Sequence, residues 1–422
     1  MTIGARRVVV TGIGVVAPGG VTREAFWERI LSGVPATRRV TLFDPTGFRS
    51  QVAAECDFDP VKAGLSAYEV RRIDRLGQFA LAAGAEAVAD AGLSTSDGSE
   101  AGVSLGSAVG ATMRMESEYV AVSDGGRTWE VDGRYAMPFM YSVFVPSAVA
   151  TEVAVRFGAH GPATVISTGC TSGIDAIGYA AQLIADGEAD VMLAGGTESP
   201  ISPISYACFD AIRATTPDND DPTRASRPFD ATRAGFVMGE GCAVLVLEEL
   251  GRAVARDARV YCELTGYASR ANAYHMTGLH PDGVELADAI VDALGQARVN
   301  PDEIGYISAH GSGTRQNDRH ETGAYKRTLG PAAYRIPISS IKSMLGHSLG
   351  AIGALEMAAC ALAIDRGAVP PTANLRTKDP ECDLDYTPLT AREARVDNAL
   401  SVGSGFGGFQ SAMVFSRLKE VS

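Results

Sequence analysis

Residues 164–187 read TVISTGCTSGIDAIGYAAQLIADG, and residues 336–367 read IPISSIKSMLGHSLGAIGALEMAACALAIDRG. Each stretch runs from an apolar strand through a glycine-containing turn into a long, alanine-rich helix. At the turn, Cys170 in the first stretch and His347 in the second both follow a glycine and precede another glycine three residues later. A repeated strand–turn–helix unit predicts a fold of two related halves, which we place at residues 1–255 and 256–422.

Short apolar strands alternate with helical patterns along the rest of the chain. The strands include RRVVVTG, DVMLAGG, CAVLVLEEL, EIGYISAHG and ALSVGSGFG. Such an alternation is typical of an α/β protein, in which helices cover both faces of a parallel sheet. The sequence therefore predicts parallel sheets between layers of helices.

The composition restricts the possible function classes. The 422 residues are 46% hydrophobic, enough to bury a large core, and their formal net charge of −13 disfavours binding to a nucleic-acid phosphate backbone. No apolar stretch reaches the roughly 20 residues of a membrane span. Seven cysteines without the spacing of a disulfide framework indicate reduced thiols. We expect a cytoplasmic protein that binds neither nucleic acid nor membranes.

Three motifs suggest other chemistries, and the sequence argues against each. GIGVVA at residues 12–17 fits a loose dinucleotide fingerprint, but the Pro-Gly-Gly that follows stops the helix that should receive the pyrophosphate. GHSLG at residues 346–350 has the spacing of a hydrolase nucleophile elbow, yet His347 is the last histidine of the chain and the triad needs one after the serine. His310 and His320 lie ten residues apart across a glycine-rich turn without a nearby cysteine pair, which disfavours zinc.

Cys170 is the strongest candidate for a nucleophile. It lies between a strand and a helix, so its sulfur is expected near a helix N-terminus, where the dipole and the unpaired amides favour the thiolate. Its neighbours Gly169, Thr171, Ser172 and Gly173 are small and open access to the backbone instead of filling a core. The other six cysteines lack this context, and we predict that they pack in the interior.

His310 and His347 are the candidate partners of Cys170. His310, in ISAHGSGT, ends a strand and begins a glycine-rich turn, and His347 holds the place in the second half that Cys170 holds in the first. A pseudo-twofold relation between the halves would bring Cys170 and His347 together at their junction. In GHSLG the functional residue is then His347, and we predict that Ser348 helps to begin the following helix.

These motifs resemble a known family. The β-ketoacyl synthases are closely matched by STGCTSG (167–173), FDATRAGFVMGEG (229–241), AHGSGTRQND (309–318), IKSMLGHSLGAIG (341–353) and GSGFGGF (403–409). The resemblance extends along essentially the whole chain and implies an α/β fold, the thiolase-type five-layered α/β/α/β/α sandwich. ACFDAIRATTP, GTRQNDRHET and PPTANL look most like the ketosynthase α subunit of bacterial type II polyketide synthases. Its partner, the chain-length factor, typically carries glutamine where this chain has Cys170, so the cysteine indicates the catalytic subunit.

The resemblance implies a decarboxylative Claisen condensation. Cys170 would hold an acyl chain as a thioester, malonyl-acyl carrier protein would lose CO₂, and the resulting enolate would attack the thioester. His310 and His347 would donate hydrogen bonds to the enolate oxygen, and one of them could also activate Cys170. The backbone N–H groups of Cys170 and Phe406 would stabilise the tetrahedral intermediates, and Phe406 also matches a gating residue between the acyl pocket and the malonyl side.

The same resemblance assigns supporting residues. Lys342 is expected to be buried beside the histidines, with Glu321 as its partner and Asp318 close by. We predict that Ser312, Thr314 and Asp318 bind the substrate, and the hydroxyls of Ser312 and Thr314 match those that hydrogen-bond its phosphopantetheine arm.

Two protein partners follow from the resemblance, a chain-length factor in a heterodimer and an acyl carrier protein. The acidic carrier would dock on Arg71, Arg72 and Arg213, and YEVRRIDRLG places Arg71, Arg72 and Arg75 on one helix. We expect no metal and no cofactor bound by this chain, because the carrier's phosphopantetheine holds the substrates.

Two alternatives stay open at this point: a fatty-acid β-ketoacyl-acyl carrier protein synthase II acting as a homodimer, and a noncatalytic subunit of the same fold. GGTESPISP at residues 195–203 is compatible with an aromatic or a reduced polyene product.

Overall fold

The computed structural model describes residues 6–94, 101–128, 130–280 and 282–419. Its strands are β1 (Val8–Val16), β2 (Arg38–Arg39), β3 (Val52–Ala54), β4 (Gly102–Gly106), β5 (Ala163–Ile166), β6 (Val191–Glu198), β7 (Met238–Gly239), β8 (Gly241–Glu249), β9 (Cys262–Ala271), β10 (Tyr306–Ser308), β11 (Ile338–Ser339), β12 (Ala368–Val369), β13 (Arg392–Glu393), β14 (Asn398–Gly405) and β15 (Phe409–Ser416). Its α-helices are α1 (Arg23–Ser32), α2 (Ala67–Arg72), α3 (Arg75–Asp90), α4 (Thr112–Val122), α5 (Met140–Phe144), α6 (Ala148–Phe157), α7 (Ser172–Asp186), α8 (Pro203–Ala211), α9 (Leu250–Ala255), α10 (Val284–Ala297), α11 (Arg315–Leu329), α12 (Lys342–Leu345) and α13 (Ile352–Arg366).

Ten of the strands form one long sheet with a duplicated order. From one edge the strands run β5-β4-β6-β8-β1, and from the other β11-β10-β14-β15-β9, so the two groups meet at β1 and β9. In each group the three outer strands pair in parallel and the inner ones antiparallel. The prediction of parallel sheets therefore holds for the three outer strands of each group and is wrong for the inner ones. β14 ends at Gly405 and β15 begins at Phe409, and so short a connection allows only an antiparallel hairpin.

Helices form three layers around this sheet. α7 and α13 pack against each other between the two strand groups, whereas α3 and α10 cover the outer faces. Residues 352–364 of α13 are all buried, as expected for a helix surrounded by other elements. The order helix, first strand group, helix, second strand group, helix is that of the expected five-layered sandwich. No α-helix in the described ranges combines the length and the apolar character that crossing a membrane requires.

Glycines let α7 and α13 begin side by side. A Cβ at Gly173 would lie 2.7 Å from the backbone nitrogen of Ala354, and one at Gly353 would lie 2.6 Å from the side chain of Ile174. A larger residue at either position would separate the helices. The turn before α7, which follows β5, therefore lies next to the turn before α13, which follows β11. Since β5 and β11 hold equivalent places in the duplicated sheet, the predicted pseudo-twofold relation is confirmed.

Candidate active site

The two turns line one cavity of about 250 Å³. Residues from both halves of the chain form its walls, including most of those singled out in the sequence. They are Cys170, Arg213, His310, Ser312, Thr314, His347 and Phe406, together with Phe209, Phe236 and Leu349.

Cys170 lies in a single 3₁₀ turn, Gly169–Thr171, directly before α7, and is 9% exposed. Burial raises the pKa of its thiol to about 11, although the charge of Lys342 and the backbone N–H of Phe406 both act to lower it. The prediction that the helix N-terminus favours a thiolate is therefore wrong for the resting protein. Desolvation of the sulfur outweighs the nearby positive groups.

The two histidines face each other in the cavity, with ring centroids 5.3 Å apart and ring planes at 78°. Burial, assisted by the charge of Lys342, lowers the pKa of both imidazoles well below the ordinary value. Both rings are therefore neutral at physiological pH. The backbone N–H of Leu349 donates to Nδ1 of His347 over 3.2 Å, which assigns the ring proton to Nε2.

Lys342 is buried as expected, but its partner is Glu356. Its ammonium donates to the Glu356 carboxylate and to the backbone oxygen of His310. The predicted pairing with Glu321 is wrong, because the two oxygens of Glu321 accept the backbone N–H groups of His310 at 2.6 Å and Gly311 at 2.8 Å. The sequence contains a signal for Glu356: it is the one charged residue in AIGALEMAACALAI, and a buried charge needs a partner.

Two carboxylates of α11 hold the loop that carries His310. Glu321 accepts the N–H groups of the first two residues of this loop, His310 and Gly311. Asp318 accepts the N–H of Gly313 at 3.2 Å and forms an ion pair with Arg233 at 2.9 Å. Asp318 is fully buried and supports this loop from behind, instead of lining the cavity as a substrate ligand as predicted. Ser312 and Thr314, on the same loop, do line the cavity, and their hydroxyl oxygens are 2.9 Å apart.

The loop between β14 and β15 packs directly on the turn Gly169–Thr171, which carries Cys170 and is called the nucleophile turn below. A Cβ at Gly169 would lie 2.8 Å from the backbone oxygen of Phe406, and one at Gly405 would lie 3.1 Å from the nitrogen of Cys170. The Phe406 ring stacks on Phe209 with 6.4 Å between centroids. The two backbone N–H groups expected to bind an oxyanion, those of Cys170 and Phe406, thus belong to segments in contact.

Comparison with known proteins agrees with this geometry. Residues 5–253 match the β-ketoacyl synthase N-terminal domain, and residues 261–376 match the β-ketoacyl synthase C-terminal domain. The chain belongs to the β-ketoacyl synthase family. It is therefore a condensing enzyme of the acyltransferase class, and the fold class predicted from the sequence is confirmed.

Two relatives place the synthase within the family. It is 58% identical over 417 residues to the tetracenomycin polyketide synthase ketoacyl synthase alpha subunit of Streptomyces glaucescens, covering 98% of each chain. It is 41% identical over 415 residues to the 3-oxoacyl-(acyl-carrier-protein) synthase 2 of a Synechocystis strain, again covering 98% of each chain. The synthase thus groups with the ketosynthase α subunits of type II polyketide synthases, and the fatty-acid alternative is more distant.

Among solved structures, polyketide ketosynthases also have the same fold as this chain. The ketosynthase of a type II polyketide synthase, solved with its acyl-carrier protein and bound to a hexaketide, has a TM-score of 0.91 at 40% identity and covers 98% of this chain and 100% of that one. A chain of the ishigamide ketosynthase/chain length factor has a TM-score of 0.90 at 35% identity, with the same coverage.

The arginines predicted to dock a carrier protein have different surroundings in the synthase. Arg213 is exposed at the cavity, and Arg71 is exposed at the end of α2. Arg72 forms an ion pair with Glu152 of α6, so its charge is already neutralised.

Arg75 does not share a helix with Arg71 and Arg72 as predicted. α2 ends at Arg72, and Asp74 caps a new helix, α3, that begins at Arg75. The Arg75 side chain pairs with the fully buried Glu240 at 2.7 Å and is not available to a partner.

Ser348 does not cap the turn that follows it. Its hydroxyl is buried and has no hydrogen-bond partner among the described residues. The N–H of Gly350 in this turn instead donates to the buried carboxylate of Glu198 at 3.0 Å, so the predicted role of Ser348 is wrong.

The prediction that the other six cysteines pack in the interior holds for five of them, whereas Cys208 on α8 is exposed.

Proposed function

We propose that this chain is the catalytic ketosynthase subunit of a type II polyketide synthase, which condenses malonyl-acyl carrier protein with an acyl chain held on Cys170. One observation carries the proposal: a cysteine thiol and two neutral imidazoles meet in one cavity of about 250 Å³.

In the first step the sulfur of Cys170 attacks the thioester carbonyl of an acyl carrier protein. The new carbon–sulfur bond forms, the bond to the carrier sulfur breaks, and the proton of Cys170 passes to the departing carrier thiol. Because the pKa of Cys170 is raised to about 11, this proton leaves only as the new bond forms. The oxyanion of the tetrahedral intermediate accepts hydrogen bonds from the N–H groups of Cys170 and Phe406.

In the second step the malonyl group loses CO₂, and the electron pair of the broken carbon–carbon bond forms an enolate. His310 and His347 donate hydrogen bonds to the enolate oxygen, and neutral imidazoles suit this role because they stabilise the charge without protonating the carbon nucleophile. The enolate carbon attacks the thioester, and Cys170 leaves as a thiolate. With its pKa at about 11, this thiolate takes up one proton before the next cycle.

The substrates arrive on phosphopantetheine, so the chain itself needs no cofactor. The hydroxyls of Ser312 and Thr314 lie at the cavity wall, and we assign them to holding that arm. Related ketosynthases have been solved with an acyl-carrier protein and with a chain length factor, and we assign the same two partners to this chain. Arg213 and Arg71 are the residues we assign to carrier docking. All seven cysteines are free, which fits a cytoplasmic enzyme.

An apolar edge of the molecule suits the chain-length factor. β5 is an edge strand of the sheet, and α6 packs beside it. Tyr141 and Phe144 of α5 and Val155 of α6 have exposed fractions of 78%, 66% and 75%. An unpaired strand with exposed apolar side chains next to it is typical of a surface that a partner covers.

Intact-protein mass spectrometry tests the nucleophile. Wild type, Cys170→Ala and Ser348→Ala are incubated with an acyl-acyl carrier protein. We expect an acyl adduct on wild type and Ser348→Ala and none on Cys170→Ala. An adduct lost only in Ser348→Ala would overturn the proposal and support a serine hydrolase.

Coexpression and copurification with a chain-length factor, followed by an assay of malonyl elongation, test whether the chain works as a heterodimer. We expect the chain expressed alone to elongate malonyl units poorly, and to do so efficiently only when coexpressed with a chain-length factor. Full elongation by a homodimer would instead support the fatty-acid alternative.

A further inference from the structure

Asp175, in the first turn of α7, is a buried carboxylate without a role in the steps above. Four hydroxyl groups donate to it: those of Thr168 and Thr171 to Oδ2, and those of Tyr267 (2.9 Å) and Ser411 (2.6 Å) to Oδ1. Among the described residues, no lysine, arginine or histidine forms an ion pair with it. Its partners are therefore exclusively hydrogen-bond donors without charge.

The donors come from both halves of the molecule. Thr168 and Thr171 lie on either side of Cys170, and the Thr171 oxygen is 2.8 Å from Oδ2. Ser411 lies in β15, the strand that begins directly after the Phe406 loop, and Tyr267 lies in the adjacent strand β9. Asp175 thus connects the nucleophile turn, which carries Cys170, to β15, the strand that follows the loop with the second oxyanion donor.

Close packing of glycine backbone also brings these two segments together. A Cβ at Gly405 would lie 3.0 Å from the oxygen of Thr168, and one at Gly403 would lie 3.0 Å from the Thr171 side chain. Glycines permit such an approach, but they provide no directional bond that would set how far one segment slides along the other. The hydroxyl–carboxylate contacts are directional and supply that constraint.

We propose that Asp175 is a positioning residue that sets the relative placement of the Cys170 and Phe406 N–H groups, and so the geometry of the oxyanion hole. The inference rests on the proposed function. A carboxylate is suited to the task because both of its oxygens accept, so each can hold two hydroxyls at once. Asparagine has nearly the same shape but only one accepting oxygen.

The test compares Asp175→Asn with Asp186→Asn, which removes an exposed carboxylate from the other end of the same helix. Two rates are measured by intact mass: acylation of Cys170 by a small acyl thioester, which needs the oxyanion hole, and alkylation by iodoacetamide, which does not. We expect Asp175→Asn to slow acylation by about 10²-fold, as for other small misplacements of reacting groups, and to leave alkylation within about threefold of wild type. Asp186→Asn should change neither rate.

A second pair of variants keeps the test decisive if Asp175→Asn folds poorly. Ser411→Ala removes the contact to β15, whereas Tyr267→Phe removes a contact to the same carboxylate oxygen without touching either oxyanion segment. We expect Ser411→Ala to slow acylation more than Tyr267→Phe, with alkylation unchanged in both.

Two outcomes would overturn the inference. One is unchanged acylation in folded Asp175→Asn and Ser411→Ala, and the other is an equal loss of acylation and alkylation in these variants. Failure of the proposed function would look different, because wild type itself would then form no acyl adduct on Cys170.

Discussion

Cys170, His310 and His347 line one cavity and are each less than 10% exposed, and the buried ammonium group of Lys342 donates to the backbone oxygen of His310. Burial favours the uncharged form of each group, so it raises the pKa of the thiol and lowers the pKa of the imidazoles. The charge of Lys342 lowers the pKa of all three groups. Glu356 accepts a hydrogen bond from that ammonium group, and the three reacting groups are neutral at rest.

The first prediction concerns the pH dependence of Cys170. The thiolate is the reactive form, and a pKa near 11 means that its fraction rises with pH over the whole neutral and mildly alkaline range. We expect the rate of alkylation by iodoacetamide to increase about tenfold per pH unit between about pH 7 and pH 10. Intact mass at each pH gives the rate, and Cys170→Ala corrects for the exposed Cys208. A plateau below about pH 8 would contradict the raised pKa.

The second prediction separates the two half-reactions. Removing one hydrogen-bond donor from an enolate costs about 10²-fold or more, so His310→Ala and His347→Ala should each slow malonyl decarboxylation by that factor. Acylation of Cys170 should remain within about tenfold of wild type, because its oxyanion donors are backbone groups. Release of labelled CO₂ and the mass of the acyl adduct report the two steps. Ser348→Ala is the matched control, since its buried hydroxyl has no partner in the described chain.

At this scale the sequence predicts which side chains meet but not how they are paired or protonated. Cys170, His310, His347, Lys342 and Phe406 are recognisable from their motifs and do converge. The partner of Lys342 and the pKa of Cys170 depend on which buried surfaces face each other, and the spacing of residues along the chain carries little of that information.

At the scale of elements, the strand–turn–helix units around α7 and α13 determine where the site forms. Their N-termini meet because glycines replace side chains at the crossing, and the turns before them carry Cys170 and His347. The repeat was visible in the sequence because both units share the same glycine spacing. The mixture of parallel and antiparallel strand pairs was not visible in the sequence, because an apolar strand has the same residue pattern whether its neighbours run parallel or antiparallel.

The third prediction concerns this crossing. Gly173→Ala would place a Cβ 2.7 Å from the backbone of Ala354, and overpacking of this kind typically costs about 1–3 kcal/mol. Gly323→Ala in α11 is the matched control, because it has open space around the new Cβ and should stabilise the protein by about 1 kcal/mol through helix propensity. Urea unfolding of both variants measures the difference. Equal stability of the two variants would show that the crossing tolerates a side chain.

At the scale of the whole molecule, charge and shape distinguish two surfaces, which we assign to the two proposed partners. The net charge of −13 repels an acidic carrier protein, so docking depends on local exceptions such as Arg213 beside the cavity. The exposed apolar side chains of α5 and α6 form a second surface, which we assign to a more permanent partner. The division of the chain at residues 255 and 256 stays a prediction, because the sheet runs continuously from β1 to β9.

The fourth prediction tests the docking surface. We expect Arg213→Glu to raise the KM for acyl-acyl carrier protein by about tenfold and to leave acylation by a small acyl thioester unchanged, because the small donor has no acidic protein surface for Arg213 to attract. Arg395→Glu, at a side chain that is 82% exposed and outside the cavity wall, is the control. Steady-state kinetics with both acyl donors gives the answer. A similar loss with the small thioester would place Arg213 in the reaction itself.

The high pKa of Cys170 also bears on how long the enzyme survives. Peroxides and disulfides oxidise thiolates far faster than neutral thiols, so a nucleophile held in its protonated form is a poor target for them. Oxidants should modify the exposed Cys208 first and leave the resting active site reduced. The exposure to damage is then confined to the moment after each condensation, when Cys170 has been released as a thiolate and has not yet regained its proton.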